Sequence, residues 1–222
     1  MSDVWNKIEE LAGEIEGLVK LSGTMLDTPD IVYDWHSVVY TGPRFRRAHI
    51  HTIDRRESHK LYILHATIFP YYNDPSPIWG FDAVCGPNKI TGAFHDFSNA
   101  GDSEHPMMDW FADEVVKYGW SKPRELPEWA KNIFSKNMVA AGNIQTGDEL
   151  DDLCALTLKT LKYYLSNVGN TQESGADYHM AQNRYCHYQK QNPHVVRSMT
   201  SMGVEEPVIR RFINEIQYPE SH

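Results

Sequence analysis

Four side chains in one stretch of the sequence can move protons or hold a metal: His49, His51, His65 and Asp82. His49 and His51 are two apart, so on a strand they point to the same side. If residues 60–69 form a strand that returns through a connection centred on Asn73 and Asp74, Phe69 faces Ile78 and His65 faces Asp82. If residues 44–54 turn through Arg55–His59 with Asp54 opposite Lys60, His49 faces His65. Directly opposed residues share a sheet face, with Cβ atoms about 4.5–5.5 Å apart. The expected result is a row of His49, His65 and Asp82 across three strands, with His51 next along. A one-residue slip in either hairpin destroys it.

Three readings of such a row compete. In the first, each side chain is an ordinary polar residue satisfied by its own hydrogen bond. In the second, two His and one carboxylate form the ligand set of a non-haem iron oxygenase, and His-x-His on a strand also occurs in cupin-like metal sites. In the third, a carboxyl beside an imidazole in a covered pocket shares a proton, and desolvation raises the carboxyl pKa. Such a pair titrates as a unit.

The elements that must position these residues can be read from periodicity and turns. Residues 3–21 have apolar positions at helical spacing (Trp5, Ile8, Leu11, Ala12, Ile15, Leu18, Val19), with Asp3 as the expected N-cap. Strands are expected over Ile31–Tyr40, Arg44–Asp54, Lys60–Phe69, Ile78–Cys85 and Lys89–Phe97, punctuated by Gly, Pro and Asn turns. Their short connections imply antiparallel neighbours. Strand 60–69 is apolar on both parities, so both its faces should be covered. Helices are expected over Pro106–Tyr118, Gly147–Val168, 174–192 and Val204–Gln217. Strands followed by helices give an α+β fold, and the lack of a repeat or linker favours one domain over residues 1–222.

Composition excludes several classes. The net charge of −9 argues against general nucleic-acid binding. The three cysteines, Cys85, Cys154 and Cys186, are far apart and form no CxxC pair, against a zinc ribbon, an iron–sulfur cluster or a disulfide framework. No apolar run reaches the roughly 20 residues of a membrane helix, and no signal peptide is evident, so a cytoplasmic protein without membrane contact is expected. Aromatic residues at 12% suit a pocket for a flat conjugated ligand and equally a large core.

Longer patterns add a family likeness. The segments His65-Ala-Thr-Ile-Phe-Pro, Ile78-Trp-Gly-Phe-Asp82-Ala-Val and Gly86-Pro87, with 17 residues from His65 to Asp82, form one block. Pro43-x-Phe45-Arg46 precedes it. Leu126-Pro127-x-Trp129, Ile133-Phe134-Ser135 and Tyr185-Cys186-x-x-Gln189-x-x-Asn192 follow. In order and spacing they resemble the ferredoxin-dependent bilin reductases, in particular the phycocyanobilin-forming members and their viral phycoerythrobilin-forming relatives. The resemblance covers roughly residues 30–215. It implies a three-layer α/β/α sandwich around an antiparallel sheet, with the bilin between the sheet and the C-terminal helices. It also implies reduction of biliverdin IXα by single electrons from reduced ferredoxin, through bilin radicals, with no metal, flavin or nicotinamide held by the protein. The lack of a Gly-rich dinucleotide loop agrees with this. Two other classes stay open: a bilin or haem carrier without catalysis, and an oxygenase with iron on His49, His65 and Asp82.

Residue by residue, the resemblance implies that Asp82 is the central acid, His65 its partner and second donor, and His49 a nearby hydrogen-bonding group. Asn192 falls where members carry Asn or Asp on the opposite face of the pigment, so the catalytic set is Asp82, His65 and Asn192. Tyr185 and Gln189 match pocket positions, although an ordinary helix face explains them as well. Thr91 matches a hydroxyl near a propionate, and a turn centred on Pro87-Asn88 puts it on the face of Asp82. Arg197 matches a basic position that can pair with a propionate, or it is a solvated helix charge. With His49 and His51 these four complete the expected substrate-binding set. Two departures stand out. Phycocyanobilin-forming members carry a Glu where this chain has His51, and use it to reduce the exo-vinyl group, so phycoerythrobilin is the expected product. The family's propionate-binding Arg falls near Gly142, so propionate binding must be arranged differently. Ferredoxins are acidic, and docking to an acidic chain needs a local basic patch. Arg44–Lys60 and Arg210-Arg211 are the candidates, against ordinary solvated charge.

Overall fold

The computed structural model describes residues 3–31, 33–100, 105–145, 147–170 and 177–221. Residue 32 of the expected first strand and residues 174–176 of an expected helix lie outside them. Helix α1 (Asp3–Ser22) begins at Asp3 itself, which is therefore the first helical residue and not the cap. Its stripe of Val4, Ile8, Leu11, Ile15 and Val19 is buried, each side chain contributing about 1.5–3 kcal/mol relative to exposure.

Among the described residues seven strands follow: β1 (Thr24–Leu26), β2 (His36–Thr41), β3 (Arg47–Arg55), β4 (Leu61–Phe69), β5 (Ile78–Cys85), β6 (Ile90–Ser98) and β7 (Val139–Ala141). They form one sheet in sequence order, every neighbour antiparallel. The other helices are α2 (Pro106–Val115), α3 (Asp148–Asn167), α4 (His179–Gln189), α5 (Pro193–Ser201) and α6 (Glu206–Arg211), the last continuing into a π-helical segment at Phe212–Gln217. With six helices beside an antiparallel sheet, the described residues form the α+β fold expected.

Both faces of the sheet are covered, as the two apolar parities of β4 require. Leu64, Ala66 and Ile68 pack with Trp79, Phe81 and Ala83 in one core cluster that includes side chains of α1, α2 and α3. Ile63 and Phe69 belong to a second cluster with Ile53, Ile78, Tyr185, Met199, Ile209, Phe212 and Ile216, from α4 to the π-helical segment.

One hairpin has the expected register and one does not. His65 pairs with Asp82. The β3–β4 turn has the expected five residues but sits one residue later: Arg55 faces Leu61, the Arg55 carbonyl accepts from the His59 amide at 2.9 Å, and Lys60 takes a positive φ of 55°. The partner of His65 is therefore His51, and His49 faces Thr67. In the β5–β6 pair a bulge near Val84 and Cys85 sets Asp82 opposite Phe94 and leaves Thr91 as the extra residue.

Candidate active site

The face of the sheet turned toward α4 and α5 carries a cavity of about 800 Å³. His51, His65, Asp82, Thr91 and Phe94 line it from the sheet. Tyr185, Gln189 and Asn192 line it from α4 and the start of α5, and Arg124, Trp129 and Phe134 from the segment before β7. Much of its wall is apolar or aromatic, which suits a flat conjugated ligand with few polar anchors.

Asp82 is the polar centre of the floor. Its side chain is 36% exposed, all of it within a recessed site. Burial raises its carboxyl to about 7, and burial lowers His65 to about 3. Nδ1 of His65 lies 3.8 Å from Oδ1 of Asp82, outside hydrogen-bond range. Desolvation thus favours the uncharged form of both partners, and the pair keeps its shared proton on the carboxyl. Near neutral pH the carboxyl is close to half protonated, so the cavity holds an acid that can donate.

Behind it lie the other imidazoles. The rings of His51 and His65 stack at 4.9 Å, and His49 is 5.2 Å from His51. Burial holds both His49 and His51 well below the usual histidine range, with neighbouring His groups adding to the shift. Nε2 of His49 is 3.0 Å from the Ser37 hydroxyl. His49 Nδ1, His51 Nδ1 and His65 Nε2 have no hydrogen-bond partner among the described residues. Each of the three His offers a ligand atom within 4.8 Å of the others, so they could hold a metal. The near-parallel stacking of His51 on His65, at 26°, opposes this: a lone pair lies in its ring plane, so one ring must turn before both can reach a single ion.

The expected residues divide into three groups. His51, His65, Asp82, Thr91, Tyr185, Gln189 and Asn192 line the cavity. His49 is fully buried beside it, behind His51 and His65. Arg197 is exposed on α5 and does not line it. Asn192, Tyr185, Gln189 and Thr91 also make structural hydrogen bonds. The Asn192 side chain caps α5 by accepting from the His194 amide at 2.9 Å, with Pro193 opening the helix. Tyr185 accepts a hydrogen bond from Gln189 Nε2 at 2.8 Å. The Thr91 hydroxyl donates to the Val84 carbonyl at 2.9 Å.

Other lining residues escaped the sequence reading. Asp96 is a second buried carboxylate; burial raises it to about 6, while bonds from Ser135 and Ser98 pull the other way. Its signal was available in Asp96-x-Ser98 on a strand, where a buried acid needs local donors. His194 and Ser198 belong to α5, a nine-residue helix that falls between the two helices expected over 174–192 and Val204–Gln217. The supposed basic patches are largely neutralised. Arg55 pairs with Asp34, Arg56 with Asp54 and Glu9, Arg210 with Glu206, and Arg211 with Glu215. The Arg47 guanidinium donates to the Ile216 carbonyl. No helix among the described residues is long and apolar enough to cross a membrane.

Comparison with known proteins bears on this site. A family model described as ferredoxin-dependent bilin reductase matches residues 32–219. The chain is similar to phycocyanobilin:ferredoxin oxidoreductase from Prochlorococcus marinus, 28% identical over 168 residues, which cover 72% of this chain and 62% of that one. It is also similar to the protein of that name from Synechococcus sp., 31% identical over 96 residues, 40% of this chain and 36% of that one. The match thus spans less than two thirds of either curated relative. Among solved structures, a protein named PcyX superposes with a TM-score of 0.68 at 23% identity, covering 97% of this chain and 99% of that one. Phytochromobilin synthase from tomato, in complex with biliverdin, superposes with a TM-score of 0.73 at 13% identity, covering 95% and 81%. At these identities the two likenesses show the fold.

Proposed function

The chain belongs to the ferredoxin-dependent bilin reductase family, and from that premise we propose that it reduces biliverdin IXα to a phycobilin with electrons from reduced ferredoxin. The reading treats residues 1–222 as one three-layer α/β/α domain, with the bilin in the cavity between the sheet and the C-terminal helices. The observation that carries it is a carboxyl, Asp82, raised toward neutral pH by desolvation and facing a cavity of about 800 Å³ with His65 at 3.8 Å.

Each two-electron step adds two electrons and two protons, so four of each convert biliverdin to a phycobilin. An electron on the conjugated pigment raises its basicity. Asp82, titrating near neutral pH, is matched to protonate the resulting radical. His65, depressed to about 3, is neutral at working pH; its ring N–H can hydrogen-bond the pigment, and it can relay the next proton to the spent carboxylate from one ring nitrogen as the other takes a proton up. Asn192 faces the pigment from the opposite wall, where its amide can hydrogen-bond a pyrrole or lactam group. His51, Thr91, Tyr185 and Gln189 contact the substrate, and His49 holds the imidazole row through its bond to Ser37.

His51 favours phycoerythrobilin, formed by reduction at the 15,16 double bond and the A-ring diene system, because an uncharged imidazole supplies no acid for the exo-vinyl group. The names of the curated relatives favour the second reading, phycocyanobilin. Chromatography of the products of biliverdin with reduced ferredoxin separates the two. Reduced product with a transient radical in electron paramagnetic resonance is expected. Bound pigment that stays unreduced would make the protein a carrier, and activity that requires stoichiometric iron would make it an oxygenase.

A further inference from the structure

The pigment of the proposed reaction carries two propionate carboxylates, and a pocket that takes it needs at least one fixed cation. Among the described residues lining the cavity, Arg124 is the only lysine or arginine. The acids Asp82, Asp96 and Glu125 line the same space. Arg197, the basic residue picked out by the sequence, lies outside it.

Arg124 is held by its backbone and left open at its head. Its amide donates to the Ala140 carbonyl at 2.8 Å, tying the segment to β7. Its guanidinium carbon lies 6.0 Å from the centre of the Phe94 ring, directly opposite Asp82 in the sheet pairing. Two glycines make room for the side chain. A Cβ on Gly92 would stand 2.7 Å from Nη1 of Arg124, and one on Gly142 would stand 3.1 Å from Nε. The guanidinium makes no ion pair among the described residues, in contrast to Arg55, Arg56, Arg210 and Arg211. A planar, permanently charged fork laid over an aromatic ring and two glycines, unpaired at the rim of a cavity, is built to receive a carboxylate.

We infer that Arg124 is the anchor for one propionate of the bilin, and so a positioning residue that sets the pigment's register over Asp82. The inference rests on the bilin reading above. It also accounts for how a chain with glycine at 142 holds an acidic substrate: the cation comes from the segment before β7 and occupies the space beside that glycine.

The test compares affinities for biliverdin and for biliverdin dimethyl ester, read by visible absorbance, in wild type, Arg124→Gln and Arg124→Lys. Arg124 is exposed, so the variants should fold, and their unchanged melting curves check this. Wild type should prefer the free acid. Arg124→Gln should cut that preference about tenfold, as loss of a charged hydrogen bond implies. Arg124→Lys should keep part of it, because it retains the charge without the fork. An unchanged acid-to-ester ratio in Arg124→Gln, with wild type binding the pigment, would overturn this inference and leave the bilin reading standing. Failure of the wild type to bind either pigment would overturn the bilin reading and the anchor with it.

Discussion

Asp82→Asn keeps the shape of the side chain and removes its proton, and the consequences for stability can be worked out. In the folded protein burial raises the carboxyl from 3.8 to about 7, so the unfolded chain gives up this proton first as pH rises. Between about pH 4 and 7 this group therefore lowers the stability of the folded state, and above pH 7 the loss is complete. His65 acts the other way. Its folded value is lowered from 6.5 to about 3, so the stability it removes at low pH returns as pH climbs through the ordinary histidine range. In the wild type the two contributions largely offset each other, and Asp82→Asn deletes only the first. At about 1.4 kcal/mol per pH unit the full effect is about 4 kcal/mol. The side chain is 36% exposed to the cavity, and solvent screening reduces this to about 2 kcal/mol. The variant should match wild type near pH 4 and exceed it at pH 8, by about 4–8 °C in melting midpoint for a chain of this size. It should still bind biliverdin and form no product. Melting curves at pH 4.5 and 8, with product chromatography, test both halves. Equal midpoints at pH 8, or a gain as large at pH 4.5, would refute the desolvation argument. Full turnover would remove Asp82 as the donor.

Two further substitutions probe the row and its support. His51→Glu puts a carboxyl beside His65, its partner across β3 and β4; chromatography should show phycocyanobilin rising in the product mixture, and an unchanged mixture would mean that this position does not set the product. Thr160→Val removes the hydroxyl that lies 2.7 Å from His95 Nε2 and accepts from Trp79 Nε1 at 3.3 Å. Leaving those buried groups unpaired should cost about 1–3 kcal/mol in urea unfolding while the bilin spectrum stays unchanged, because Thr160 belongs to α3 on the far side of the sheet.

What could be read from the sequence was what repeats or punctuates. The stripe of α1, the two apolar parities of β4 and the Pro and Gly around β5 each carry a local signal strong enough to set an element, and Ile78–Cys85 matched to the residue. The elements that were missed have little local signal. β1 and β7 have three residues each and exist because a neighbouring strand offers free backbone groups. α5 has only nine residues, opened by its cap, Asn192 with Pro193, directly after α4. Arg124 was not legible for a related reason: an arginine between Pro123 and Glu125 reads as a loop charge until the fold brings Phe94 and two glycines beneath it.

The two errors of register show why the site survived while its details moved. The β3–β4 hairpin differs by two residues in its pairing sum, because its five-residue turn is 56–60, closed by the bond from the His59 amide to the Arg55 carbonyl, and not 55–59. A two-residue change exchanges which residues are opposed but leaves every side chain on its own face. His49, His51 and His65 therefore still share the side of Asp82, with His51 in the place expected of His49. The bulge between β5 and β6 changes the register by one, and a change of one does alter the pairing of faces: Phe94, not its neighbour Ala93, lies across from Asp82. That single extra residue turns an aromatic ring toward the cavity beside the acid and gives the guanidinium of Arg124 a surface to lie over. It also keeps Ala93 in the core packed beneath the opposite face. The acid and its imidazoles are thus a property of strand parity, which a sequence reveals. The aromatic and cationic wall beside them is a property of one bulge, which the turn residues Gly86-Pro87-Asn88 do not announce.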